Sequence, residues 1–199
     1  MKSLNRKQNI PSATVCIDYL QNAFTLSEIK DMTEMLSTEN LILKTKSHSP
    51  KHILGIDELF AQISIYLPPD IVTLICQTVI TRGVYDCLKA LIIKVYKYIR
   101  NKPFTEIKNG EIIENSILNV HLVVGNNKII LPMALEQEKF EYALDTFKEV
   151  VNDKTVTTKH VSKYNEQTQS FECYEESEFV MRIAREGLKK QEETDETSI

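Results

Sequence analysis

The sequence predicts an α+β fold, in which a small sheet of about four strands packs with helices. Short β-branched runs alternate with amphipathic helical patterns along residues 13–151. A long apolar helical block separates the second predicted strand from the third. The chain has 199 residues, 42% of them apolar, which is enough to bury the core of one domain.

The first predicted unit is strand, helix, strand over residues 13–47, after a polar lead-in over residues 1–12. Residues 13–20 are rich in β-branched side chains and favour a strand. Thr25 and Glu28 have the spacing of a capping box and predict that a helix begins there. Residues 41–46 return to alternating strand character.

The apolar helical block, residues 55–99, contains only eight charged residues. Pro68 and Pro69 divide it into two predicted helices, and Asp70 is a plausible N-cap for the second. Uncharged runs of 11 residues are too short for a bilayer span, which needs about 20 apolar residues. From Gly83 onward the apolar positions fall on one helical face: Val84, Leu88, Leu91, Val95 and Ile99.

The sequence of the later part of the domain predicts a hairpin followed by a helix. Two apolar strands flank a turn at Gly125, Asn126 and Asn127. Residues 136–151 then form an amphipathic helix with an acidic first turn. We expect residues 152–199 to be a polar, acidic extension with a weak hairpin around Asn165–Gln169, a short helix over residues 178–190 and a disordered end.

Charge and cysteine content constrain the function classes. The formal net charge is −4, but residues 172–199 carry nine acidic and four basic side chains, so the body is nearly neutral. This balance gives no reason to expect a nucleic acid partner. The four cysteines (Cys16, Cys76, Cys87 and Cys173) form no paired motif, which predicts reduced thiols and a cytoplasmic protein without a secretory signal.

No catalytic motif is present, so we predict a protein that is not an enzyme and that has no catalytic residues, cofactor or metal. The five glycines are too far apart in the sequence to form a Gly-rich phosphate-binding loop. His48 and His52 are four residues apart, but Pro50 between them favours two solvated loop histidines over a metal pair. His121 fits a half-exposed position on a strand. Asp18, at the end of the first strand, could line a site there.

The order of elements resembles the effector-associated constant component modules of bacterial conflict and defence systems. The resemblance covers about residues 13–151 and rests on the apolar block ending in KVYKYIRNK, the hairpin NVHLVVGNNKIILPM and the helix FEYALDTFKEVV. It implies a ferredoxin-like frame interrupted by a hydrophobic helix, and a small non-enzymatic adaptor beside an effector.

The leading hypothesis is therefore an intracellular interaction or adaptor module with a protein partner or a second copy of itself. Its candidate interaction surface is the most apolar stretch of the block: Ile71, Val72, Leu74, Ile75, Val79 and Ile80. A candidate basic stripe follows, with Arg82, Lys89, Lys97 and Arg100. The alternatives are a membrane-associated protein anchored through residues 59–99, and a small enzyme or ligand-binding domain with a site near Asp18 and His121.

Overall fold

The computed structural model describes residues 13–49, 62–68, 71, 82–108, 111–152 and 158–196. Among these residues, seven strands form one mixed sheet in the order β2-β1-β3-β6-β7-β8-β9, and β4 and β5 form a separate pair. The strands are β1 (Ala13–Leu20), β2 (Leu41–His48), β3 (Ile63–Leu67), β4 (Phe104–Lys108), β5 (Glu111–Ser116), β6 (Val120–Val124), β7 (Asn127–Ile130), β8 (His160–Asn165) and β9 (Ser170–Glu175). The helices are α1 (Leu26–Ser37), α2 (Arg82–Arg100), α3 (Gln137–Asn152) and α4 (Glu176–Glu196).

The predicted fold class is wrong in its sheet and in its long apolar helix. The sheet has seven strands rather than the four of a ferredoxin-like frame. Residues 63–67, placed in a helix by the sequence, form β3, which pairs antiparallel with β1 and parallel with β6. The sequence ISIYL alternates, so Ile63, Ile65 and Leu67 are buried while Tyr66 is exposed. A short apolar run fits a helix or a strand equally well, and its pairing partners on both sides decided the outcome.

The rest of the apolar block, residues 71–99, also differs from the predicted long apolar helix. Ile71 is helical and buried, and residues 72–81 lie outside the described residues. From Arg82, α2 is amphipathic rather than apolar on all sides. Its predicted face is confirmed, because the five side chains on it are each at most 2% exposed: Val84, Leu88, Leu91, Val95 and Ile99.

The N-terminal unit follows its local signals closely. β1 alternates buried and half-buried residues and pairs parallel with β2, which continues to His48. Thr25 caps α1 as predicted: its hydroxyl accepts from the Glu28 amide, and its own amide donates to the Glu28 carboxylate. Each strand of a parallel pair needs a crossover to reach the other, and α1 supplies this one.

One core joins α1, α2, α3 and one face of the sheet, which we call the core face. Between α1 and α2, Asp31 receives a hydrogen bond from the Tyr98 hydroxyl and an ion pair from Lys94 at 2.5 Å. Between α2 and α3, the Tyr96 ring stacks on Phe140 with centroids 4.2 Å apart. The buried Tyr96 hydroxyl donates to a backbone carbonyl, so its polar end is satisfied.

The predicted hairpin is present as β6 and β7, joined at Gly125 and Asn126. Gly125 has φ +59°, a conformation that a residue without a Cβ adopts at little cost. α3 follows at Gln137, close to its predicted start.

The chain beyond residue 152 extends the same sheet. β8 pairs parallel with β7, and β9 pairs antiparallel with β8 around the predicted turn. α4 continues to Glu196, further than the predicted helix and into the segment expected to be disordered. It packs on the side of the sheet opposite the core face, which we call the back face. There Phe179 is buried and contacts Tyr174, with ring centroids 5.9 Å apart.

Candidate functional site

The candidate site is the back face of β2, β1 and β3, which exposes large apolar side chains next to lysines. Alternation places these side chains on it, because their neighbours on β1 and β3, and Leu41 and Leu43 on β2, pack into the core. We call this surface the open face. Its members are Thr14, Cys16, Asp18, Ile42, Lys44, Lys46, His48, Ser64 and Tyr66.

Two large apolar side chains stand out on the open face. Ile42 on β2 is 47% exposed and Tyr66 on β3 is 43% exposed. They lie two strands apart, roughly 10 Å across the sheet. Exposed aromatic and aliphatic side chains on one surface are typical of the apolar centre of a protein interface.

Basic side chains border this apolar pair on β2. Lys44 and Lys46 alternate with Thr45, so they share the back face with Ile42, and both are exposed. Neither lysine forms an ion pair with another described residue. β2 is also the outermost strand on this side of the described sheet. The open face therefore ends in a positively charged edge.

Asp18 and His48 form a pair at the C-terminal end of β1 and β2. Asp18 Oδ1 lies 2.7 Å from His48 Nδ1, and the two side chains are 32% and 31% exposed. Parallel pairing brings their strand ends to the same edge of the sheet. We expected His48 to be a solvated loop residue, but it lies on β2 with a carboxylate partner. His52 lies outside the described residues.

A carboxylate that holds an imidazole in place can support general base catalysis when a substrate pocket adjoins the pair. Two clefts in the described part of the chain lie elsewhere, at β8, β9 and the helices beside them. Within the same residues, no group of three or more His, Cys, Asp or Glu side chains could hold a metal ion. The 2.7 Å contact between Asp18 and His48 joins the ends of two adjacent strands.

The structure places Asp18 and His121, which the ligand-binding hypothesis combines, in one cross-strand row. Both residues lie on one row of the back face, with Ser64 of β3 between them. His121 is 1% exposed, however, so it is a buried strand histidine rather than the half-exposed one expected. The row spans two strand spacings, about 10 Å, which is too far for direct contact between the two side chains.

The predicted interaction surface is described at one position only. Ile71 is fully buried in the core, and Val72, Leu74, Ile75, Val79 and Ile80 lie outside the described residues.

The basic stripe is largely engaged within the protein. Lys89 pairs with Asp145 of α3 at 2.5 Å. Arg100 donates to the Leu135 carbonyl and lies over the Tyr96 ring, 5.4 Å from its centroid. Lys97 is exposed, and the side chain of Arg82 lies outside the described part. Two of its cations thus help to join α2 to the region of α3.

A cleft of about 400 Å³ lies between α4 and the β8–β9 hairpin. Glu172 at its centre receives hydrogen bonds from the Tyr174 hydroxyl and the Asn165 amide, and these hold the pKa of its carboxyl below the usual value. Arg182 of α4 donates to the Tyr174 hydroxyl at 2.6 Å and to Glu186 at 3.1 Å. These groups satisfy one another, so the network attaches α4 to the back face.

No described helix has a continuous apolar stretch sufficient to span a bilayer. Comparisons with protein-family models, with curated proteins and with solved structures found no match. The resemblance to effector-associated constant component modules therefore stays a prediction.

Proposed function

We propose that this chain is a non-enzymatic, cytoplasmic interaction module that binds a protein partner through β2 and the open face. The observation that carries the proposal is the combination of exposed Ile42 and Tyr66 with Lys44 and Lys46 on β2, whose outer edge pairs with no other described strand. In the adaptor role that the defence-module resemblance implies, this surface would contact the effector.

The size of the open face indicates how it would be used. β1 and β2 have eight residues and are about 26 Å long, and β3 has five residues and is about 17 Å long. At a spacing of about 4.8 Å, the three strands present roughly 330 Å² of surface. A stable interface covers about 800 Å² on each partner, so the face alone supports a weak or transient contact. Backbone pairing along β2 would add the contacts and the register that a specific complex needs.

The two alternatives have less support. An anchor through residues 59–99 conflicts with β3, because residues 63–67 are paired in the middle of the sheet. An enzyme site near Asp18 lacks an adjoining cleft among those found in the described residues.

The test is site-specific photo-cross-linking in cells that make the protein naturally. A photoreactive amino acid replaces Ile42 or Tyr66, and Tyr142 on α3 is the control position, because it is similarly exposed but lies on the other side of the sheet. We expect one discrete adduct from positions 42 and 66, identified as the same protein, and none from position 142. Equal adducts at all three positions, or none at positions 42 and 66, would contradict the proposal.

A further inference from the structure

We propose that the partner of this module contributes an extended acidic segment, which adds as a further strand to the outer edge of β2. This inference rests on the proposed function and specifies its partner. The expected segment alternates, with an apolar side chain beside Ile42 and acidic side chains beside Lys44 and Lys46 on the back face.

The backbone of β2 supplies the first part of the argument. A strand in a parallel pair directs half of its amide and carbonyl groups toward its neighbour and the other half outward. β1 occupies the inner side of β2 over all eight residues. No strand among the described residues occupies the outer side. Outward backbone groups on an edge strand are the usual template for an incoming peptide.

The charges on β2 supply the second part. Lys44 and Lys46 occupy successive back-face positions, so an added strand would place every second side chain opposite them. Asp18 lies beside Lys46 in the register of β1 and β2, but its carboxylate is held by His48. The two lysines are therefore available to neutralise acidic side chains on a neighbouring strand.

The same charges argue against a second copy of β2 as the occupant. An antiparallel pair centred on Thr45 would place Lys44 of each copy opposite Lys46 of the other, and like charges opposite each other are unfavourable. The other edge strand, β9, of a second copy would also complement the outer edge of β2 poorly. Its back face offers a single carboxylate, Glu172, which already accepts from Tyr174 and Asn165.

The experiment measures binding of labelled seven-residue peptides to the full chain by fluorescence anisotropy. The acidic peptide alternates threonine with valine, glutamate and glutamate. A second peptide has lysine in place of each glutamate. A third peptide keeps the acidic sequence but is N-methylated at alternate residues, which blocks the amide groups along one edge of the strand. A fourth peptide is N-methylated along the other edge. Whichever edge faces β2, one of these two peptides cannot donate backbone hydrogen bonds to it.

We expect the acidic peptide to bind at least tenfold more tightly than the lysine peptide, and one of the two methylated peptides to lose binding. The double variant Lys44→Glu, Lys46→Glu should reverse the preference and bind the lysine peptide better. The matched control Lys139→Glu, Lys159→Glu changes the net charge equally at exposed sites away from β2 and should behave as the unmodified chain. Amide exchange of residues 41–48 should slow when the acidic peptide binds.

Four results would overturn the inference. Equal binding of both methylated peptides would show a general anion-binding surface rather than strand addition. Equal loss of affinity in the control variant would show a long-range charge effect. Concentration-dependent self-association abolished by the Lys44→Glu, Lys46→Glu variant would identify a second copy as the occupant. Absence of peptide binding together with persistent cross-links at positions 42 and 66 would reject the acidic strand while leaving the proposed function in place.

Discussion

Removing the charge of Glu28 should destabilise the protein in a pH-dependent way. Glu28 lies in the first turn of α1 and accepts from the Thr25 amide at 2.7 Å and from Lys102 Nζ at 2.6 Å. Lys102 follows α2 and also donates to the Ala23 carbonyl. A single carboxylate therefore completes a helix cap and joins α1 to the end of α2.

The magnitude follows from these contacts. The Glu28 and Lys102 side chains are 19% and 24% exposed, so solvent screens their attraction less than at a free surface. Glu28→Gln keeps the size and one acceptor for the cap but loses the ion pair, at a cost of about 1 kcal/mol. Glu28→Ala also loses the cap and should cost about 2 kcal/mol. For a chain of this length, each kcal/mol lowers Tm by about 2–4 °C.

The sign of the pH dependence follows from the pKa of Glu28. Burial is the largest influence and raises this pKa, but hydrogen bonds from Lys102 and Thr25 outweigh it and place the pKa below its ordinary value of 4.5. The folded state thus favours the charged form. Its stabilising contribution is complete above the unfolded pKa and is lost as the pH falls through the folded pKa.

Urea unfolding followed by far-UV circular dichroism, at about pH 7 and about pH 3, measures the difference between the unmodified chain and Glu28→Gln. We expect a difference of about 1 kcal/mol at the higher pH and a smaller one at the lower pH. Glu34→Gln is the matched control, since Glu34 pairs with Lys30 on the surface of the same helix. A difference that stays constant with pH, or an equal effect in the control, would refute the reasoning.

Three further predictions concern a turn, a helix and the core, and all three are measured by the same urea unfolding. Gly125→Ala should destabilise by about 1 kcal/mol, because φ is +59° there and a Cβ is strained in that conformation. Gly83→Ala should stabilise the protein by about 0.5 kcal/mol, because alanine has the higher helix propensity. The new Cβ would meet only the flexible end of the Glu39 side chain. A loss of stability would show that this side chain cannot move. Tyr96→Phe should destabilise by about 1 kcal/mol by removing the buried hydrogen bond to Leu135, and no change would mean that Arg100 alone satisfies this carbonyl.

The candidate site was only partly accessible from the sequence. Asp18 was singled out from its position at the end of a strand, and His48 was placed in a loop because Pro50 follows closely. Their 2.7 Å contact joins residues 30 positions apart, and it depends on the register of β1 with β2. The sequence does not indicate that Ile42 and Tyr66 share a surface, because no local pattern shows that β3 lies two strands from β2.

Features that depend on neighbouring residues could be predicted from the sequence alone: the Thr25 and Glu28 cap, the Gly125 turn, and the buried face of α2. These depend on backbone conformation and on spacing within one element, which a local pattern records. Tertiary contacts were needed to show that residues 63–67 form a strand, that β8 and β9 extend the sheet, and that α4 packs on the back face of β8 and β9. Strand pairing joins residues far apart in the chain, so a short apolar segment takes its conformation from the partners that it meets.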